Sequence, residues 1–249
     1  MSTVIYYFSA TGNSLTTARL LAEGLADCRL VNIAEAKNSH NIIEKAEKVG
    51  FVFPVYYGNM PWPVRELISK MVFDKDAYIF LCTTQRGHAG AAAKRLDQLL
   101  MTRGVKLSYA CGVTMPGNSF INPPEVDAAH LAAQKENVAK LIPAIAAGEK
   151  QDYSEPGVLN QNPIDFANNF RGIMADDNCI GCGTCTKVCP MGNIHIENGK
   201  AVIGDNCATC LACFHWCPRE AIWMSKQEGI ERRAKYHHPD ASLNDFILR

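Results

Sequence analysis

The chain of 249 residues predicts a doubly wound α/β domain with a five-stranded parallel sheet of order 2-1-3-4-5, followed by a small α+β domain. Three observations predict it. Apolar runs alternate with helical patterns through residues 1–150, a glycine- and hydroxyl-rich loop directly follows the first run, and eight of the eleven cysteines fall between 179 and 217.

The strands are "TVIYYF" (3–8), "CRLVNI" (28–33), "KVGFVFPVY" (48–56), "AYIFLCTT" (77–84) and "KLSYACGVTM" (106–115). Most are nearly continuous in β-branched, aromatic and other apolar residues, as strands covered on both faces must be. Helical patterns lie between them at 14–25, 64–71, 89–102 and, after the fifth strand, 124–147. Alternating strands and helices with short connections imply a parallel sheet wound on both sides. From Gly148 to about Arg171, glycine, proline and Asn/Gln dominate, which predicts a linker over 151–172 with "IDFANNF" as a short docking helix within it.

The cysteine-rich part is written twice as C-x2-C-x2-C-x3-C-P, at Cys179, Cys182, Cys185 and Cys189, then at Cys207, Cys210, Cys213 and Cys217. Between the copies, "NIHIENGKAVI" reads as two alternating strands around Asn198-Gly199, a dipeptide suited to a type I′ turn. The tail beyond residue 225 is mixed in charge and reads as partly helical, with His237 and His238 facing solvent. These parts give expected domains at 1–150 and 173–225, with a tail at 226–249.

Charge narrows the partners. The chain has 25 basic and 25 acidic residues; residues 1–150 carry 16 and 13, and residues 173–225 carry 3 and 5. Neither half has the concentrated basic face of a nucleic-acid binder. No run has the length of a membrane span, and "TVIYYF" lacks the basic lead and length of a signal peptide. The expected compartment is the cytoplasm, where clustered cysteines ligate metal rather than form disulfides. Cys28, Cys82 and Cys111 stand apart in apolar surroundings, as small hydrophobes.

Three thiolates spaced by two residues can wrap one face of a cuboidal [4Fe-4S] cluster, with a fourth turned away ahead of a proline. Paired structural zinc sites are the alternative, but zinc sites are built from separated cysteine pairs. Small residues (Gly181, Gly183, Thr184, Ala208, Thr209, Ala212) let backbone N–H groups approach the sulfurs. His215 and Trp216 read as shielding or surface groups. This segment resembles a bacterial-type two-cluster ferredoxin. That resemblance implies one cluster on Cys179, Cys182, Cys185 and Cys217, and a second on Cys207, Cys210, Cys213 and Cys189.

"FSATGNS", residues 8–14, closes the first strand and opens the first helix. Hydroxyls and helix-start N–H groups make such a loop an anion site. It lacks the Walker lysine, and no G-x-G-x-x-G fingerprint for NAD(P) occurs in the chain. The loop resembles the phosphate loop of flavodoxins, which implies FMN and phosphate contacts from Ser9, Thr11, Gly12, Asn13 and Ser14. The same resemblance implies two loops around the flavin ring. One is "PVYYGNMPWP", with Tyr56 or Tyr57 against the ring, beside Gly58 and Asn59. The other is "TTQRGHAG", containing Thr83, Thr84 and Gly87. It lacks the stacking tyrosine of many flavodoxins, and Arg86 in it is either a partner for reduced flavin or an ordinary exposed arginine. "PGNSFINPPE", with Phe120 near its middle, covers the flavin edge, receives the cluster domain or simply connects.

The whole chain thus resembles a flavodoxin–ferredoxin fusion of anaerobic prokaryotes. The resemblance implies electron transfer between two [4Fe-4S] clusters and FMN, with ferredoxin-type donors or an acceptor enzyme as redox partners. The alternative it leaves open is an FMN-dependent reductase delivering two electrons to a small organic acceptor.

Overall fold

The computed structural model describes residues 2–36, 39–119, 122–151, 172–224 and 234–248. Two compact units emerge. One comprises Met1–Ser9, Asn13–Pro116 and Asn122–Asn160; the other comprises Ala10–Gly12, Gly117–Ile121 and Gln161–Arg249.

The first unit is built in chain order from β1 (Thr3–Tyr7), α1 (Asn13–Gly24), β2 (Cys28–Asn32), α2 (Ile33–Ala36), β3 (Ile42–Glu44), β4 (Lys48–Pro54), α3 (Trp62–Ser69), β5 (Met71–Phe73), β6 (Tyr78–Gln85), α4 (Ala92–Met101), β7 (Tyr109–Thr114) and α5 (Pro124–Ala147). The main sheet runs β2-β1-β4-β6-β7 with every pair parallel, which is the predicted 2-1-3-4-5 order of the five long strands. Pleating sends alternate side chains to opposite faces. Ile5, Val52, Phe80, Cys82 and Val113 pack with Ala18 and Leu21 of α1 and Val138 and Ile145 of α5. Phe51 and Phe53, offset by one residue from Val52, are fully buried on the other side.

Parallel β3 and β5 form a separate two-stranded sheet, which the sequence reading missed. Three-residue strands are too short to show a period. Glu44 at the end of β3 is buried, and it accepts hydrogen bonds from the Tyr6 hydroxyl (2.6 Å), the Ala46 N–H (2.8 Å) and Arg29 (2.9 Å). At the end of α5, the Lys48 ammonium donates to the carbonyls of Ile145 (2.9 Å) and Ala146 (2.6 Å). It places a cation where the helix leaves carbonyls without intrahelical partners.

In the second unit, Ile173–Ala175 pairs antiparallel with Ile222–Met224. The strands Ile194–Glu197 and Lys200–Ile203 form the predicted hairpin. Its two turn residues, Asn198 (φ 49°) and Gly199 (φ 76°), both take the positive φ of a type I′ turn. Helical turns at Thr184–Val188 and Ala212–His215 carry the third cysteine of each copy, Cys185 and Cys213. The predicted linker and its docking helix lie outside the described residues, apart from Gln151 and Gly172, as does Phe120.

The described part of the tail contains one 3-10 turn, Leu243–Asp245, and residues 226–233 of the predicted partly helical tail lie outside the described residues. The tail corrects the expectation for its histidines. His238 is 2% exposed instead of facing solvent, and its backbone N–H donates to the Thr11 carbonyl (2.8 Å) within the same unit. His237 is half-buried, with its ring stacked 3.7 Å from that of Trp216. A polar composition gave no sign of this burial, because its cause is tertiary contact.

Candidate cofactor sites

The thiols of the second unit surround two cavities in crossed groups. Cys179, Cys182, Cys185 and Cys217 line one of about 300 Å³, together with Ile180, Ile196 and Ile222. Cys189, Cys207, Cys210 and Cys213 line another of about 330 Å³, together with Leu211, Met191 and Ile203. Each cavity therefore takes three thiols from one copy of the repeat and the offset thiol from the other. Among the described residues, no three His, Cys, Asp or Glu side chains converge tightly enough to hold a single metal ion. The sulfurs instead fall into two groups of four, and a set of four thiols fits the ligand demand of an iron–sulfur cluster.

Backbone geometry carries the repeat further than residue identity does. Gly181 (φ 65°), Gly183 (φ 76°) and Gly192 (φ 60°) of the first copy correspond in position to Thr209 (φ 54°), Leu211 (φ 62°) and Glu220 (φ 51°) of the second. All six occupy the left-handed region, which suits glycine and strains the other residue types. At Gly181 glycine is needed twice over, since an added Cβ would lie 2.6 Å from the Gly199 carbonyl oxygen. Backbone amides then reach the sulfurs: Asn193 to Cys189 (3.4 Å), Ala221 to Cys217 (3.3 Å), Ala201 to Cys179 (3.4 Å) and Thr209 to Cys207 (3.3 Å). Such N–H···S contacts stabilise negative charge on the sulfurs.

The two cavities differ in their exposure to water. Cys182 is exposed, and the Thr184 hydroxyl beside it (3.5 Å) holds its thiol below the usual range. Burial pushes Cys185 up to about 11 and raises Cys207, Cys210 and Cys213 as well. A buried thiol stays protonated until a cationic centre displaces its proton. Around the second group, His215 is buried while Trp216 is only partly so. The Trp216 indole N–H donates to the Ala10 carbonyl (2.8 Å), and Lys235 lies 3.3 Å over the Phe214 ring.

In the first unit, Asn13 and Ser14 open α1, and both are buried. The Ser14 hydroxyl is 2.7 Å from that of Thr84, and the Asn13 amide donates to the Pro116 carbonyl (2.8 Å). These contacts join the start of α1 to the ends of β6 and β7. Thr11 and Gly12 belong to the second unit, where Gly12 takes φ 110°. The first turn of α1 has no acidic residue, so its positive end is not offset from within the helix. The Ser14 hydroxyl and the N–H groups of this helix start are donors of the kind a phosphate monoester accepts.

Tyr56 and Asn59 close a tight turn by mutual backbone bonds (2.9 and 3.0 Å), with Tyr57 (φ 52°) and Gly58 (φ 72°) at its tip. The Gly58 carbonyl accepts from the Ala91 N–H (2.9 Å), and an added Cβ on Gly90 would lie 2.5 Å from the Gly58 Cα. Burial raises the Tyr57 hydroxyl well above its usual pKa. Thr83 turns its hydroxyl into the sheet, to Gln85 (2.7 Å) and the Cys111 carbonyl (3.3 Å), and so lies apart from the Ser14–Thr84 pair. Gly87 borders open space. Arg86 donates to the Asn122 side chain (3.0 Å), a partner the sequence reading did not foresee.

A family described as "Flavodoxin domain" matches residues 4–116, and one described as "4Fe-4S dicluster domain" matches residues 172–232. The chain joins a flavodoxin domain to a 4Fe-4S dicluster domain. Over 30 residues the chain is 53% identical to Ferredoxin-2 of Desulfomicrobium norvegicum, covering 12% of this chain and 51% of that protein. The chain thus spans about half the length of the curated relative it matches. Similar solved structures include a flavoprotein from Bacteroides uniformis, at 16% identity over 51% of this chain and 96% of that one, with TM-score 0.39. A flavoprotein from Lactobacillus acidophilus in complex with FMN matches at 14% identity over 45% of this chain and 92% of that one, with TM-score 0.35. No helix among the described residues is long and apolar enough to cross a membrane.

Proposed function

We propose that the chain is an electron-transfer protein that carries FMN on its flavodoxin domain and two [4Fe-4S] clusters on its dicluster domain. The observation that supports it most is the crossed grouping of eight thiols around two cavities. Clusters of this kind exchange electrons one at a time, while a flavin holds one or two, so together they convert between single- and paired-electron carriers.

In this reading Cys179, Cys182, Cys185 and Cys217 hold the first cluster, and Cys207, Cys210, Cys213 and Cys189 hold the second. Ser9, Thr11, Gly12, Asn13 and Ser14 bind the FMN phosphate, with Thr84 positioned through its contact with Ser14. The Tyr56–Asn59 turn faces the isoalloxazine ring, and Thr83 and Gly87 belong to the second ring loop. Residues 1–150 serve as the flavin domain, 151–172 as linker, 173–225 as the cluster domain and 226–249 as tail. Ferredoxin-type proteins exchange electrons with the clusters, and tethering in one chain keeps the second carrier at high effective concentration.

Cofactor analysis after anaerobic preparation tests the reading. The chain is expected to bind about eight irons and one FMN. The crossed ligation adds a sharper expectation: Cys189→Ser impairs the cluster held by Cys207–Cys213 and leaves the other intact. Four irons in the unaltered chain, or loss of the Cys179–Cys185 cluster in Cys189→Ser, would overturn it.

A further inference from the structure

Asn118, in the loop after β7, touches the second cysteine motif twice. Its side-chain amide donates to the Cys210 carbonyl (3.1 Å), and its own backbone carbonyl lies 2.9 Å from Nε2 of His215. The Nδ1 atom of that ring accepts from the Tyr236 N–H (3.1 Å), so the ring hydrogen sits on Nε2 and is donated to Asn118. All four residues belong to the second unit.

The segment so held is strained. Cys210 is flanked by Thr209 (φ 54°) and Leu211 (φ 62°), and a β-branched residue in the left-handed region is a true outlier. The first copy avoids the strain with Gly181 and Gly183. A backbone in a sparsely populated conformation persists only where its surroundings over-determine it. Leu211 is 1% exposed and lines the second cavity, so its side chain supplies an apolar wall that glycine lacks.

We propose that Asn118 is a positioning residue for the second cluster: the bond from its side-chain amide to the Cys210 carbonyl holds the Cys207–Cys213 segment in its strained ligating conformation. The first copy reaches that conformation through glycine. The inference rests on the two-cluster reading above and adds a role for a residue that ligates nothing.

The test compares full-length wild type, Asn118→Ala, Asn118→Gln and Asn118→Ala/Thr209→Gly after anaerobic cluster reconstitution. The readouts are iron per chain and the electron paramagnetic resonance of the reduced protein. Wild type should hold about eight irons and show magnetic coupling between two reduced clusters. Asn118→Ala should fall toward half that iron and lose the coupling, Asn118→Gln should recover part of both, and added Thr209→Gly should restore both by removing the strain. An Asn118→Ala protein with the full iron content and unchanged coupling would overturn the inference, as would loss of both clusters without rescue by Thr209→Gly. Half the iron in the wild type would instead strike at the two-cluster reading itself.

Discussion

At Lys48, one buried ammonium closes two carbonyls at the end of α5. Hydrogen bonds to a charged group contribute about 1.5–3 kcal/mol, so Lys48→Ala should lower unfolding stability by roughly 2 kcal/mol in urea titration. Tyr6 gives a pH-dependent expectation. Burial, and then its bond to Glu44, raise its pKa in the folded state. The folded protein therefore holds this proton more tightly than the unfolded chain does. Its stabilising effect is complete below the unfolded value of about 10 and declines as pH rises beyond it, by about 1.4 kcal/mol per pH unit. Tyr6→Phe should flatten that alkaline decline in urea midpoints measured across it; an unchanged slope would assign the decline to other groups. Glu220 is exposed at φ 51°, so Glu220→Gly should raise the thermal midpoint, with a gain of up to about 1 kcal/mol.

Among the elements, the long parallel strands were legible because central strands must be apolar on both faces. The cysteine spacing was legible because ligation geometry leaves little freedom. Less legible were β3 and β5, too short to show a period, and the tail histidines, buried by contacts distant in sequence. The conformations of Thr209, Leu211 and Glu220 do have a sequence signal, which is their register with Gly181, Gly183 and Gly192 across the repeat. It becomes visible only when the copies are aligned, and residue type alone argues against it. The same register sets Leu211 in the wall of one cavity where the other has Gly183. A reduced cluster carries more negative charge, so burial disfavours reduction. Leu211→Gly, which opens the wall of the second cavity, should raise the potential of that cluster in a redox titration and leave the first unchanged.

For the whole molecule, the division into a flavodoxin domain and a dicluster domain followed directly from the order of motifs along the chain. The loop between β1 and α1 was legible from its hydroxyls and its place after the first strand. The partners of Asn13 and Ser14 were not, since Pro116 and Thr84 reach them only through the parallel sheet order. We propose that clusters and flavin form one circuit. Anaerobic stopped-flow mixing with a reduced ferredoxin, followed at cluster and flavin wavelengths, tests it most directly. The clusters should be reduced first, with flavin reduction following at a rate independent of protein concentration. Flavin reduction that scales with protein concentration, or that proceeds equally fast in a chain whose cluster cysteines are replaced by serine, would contradict it.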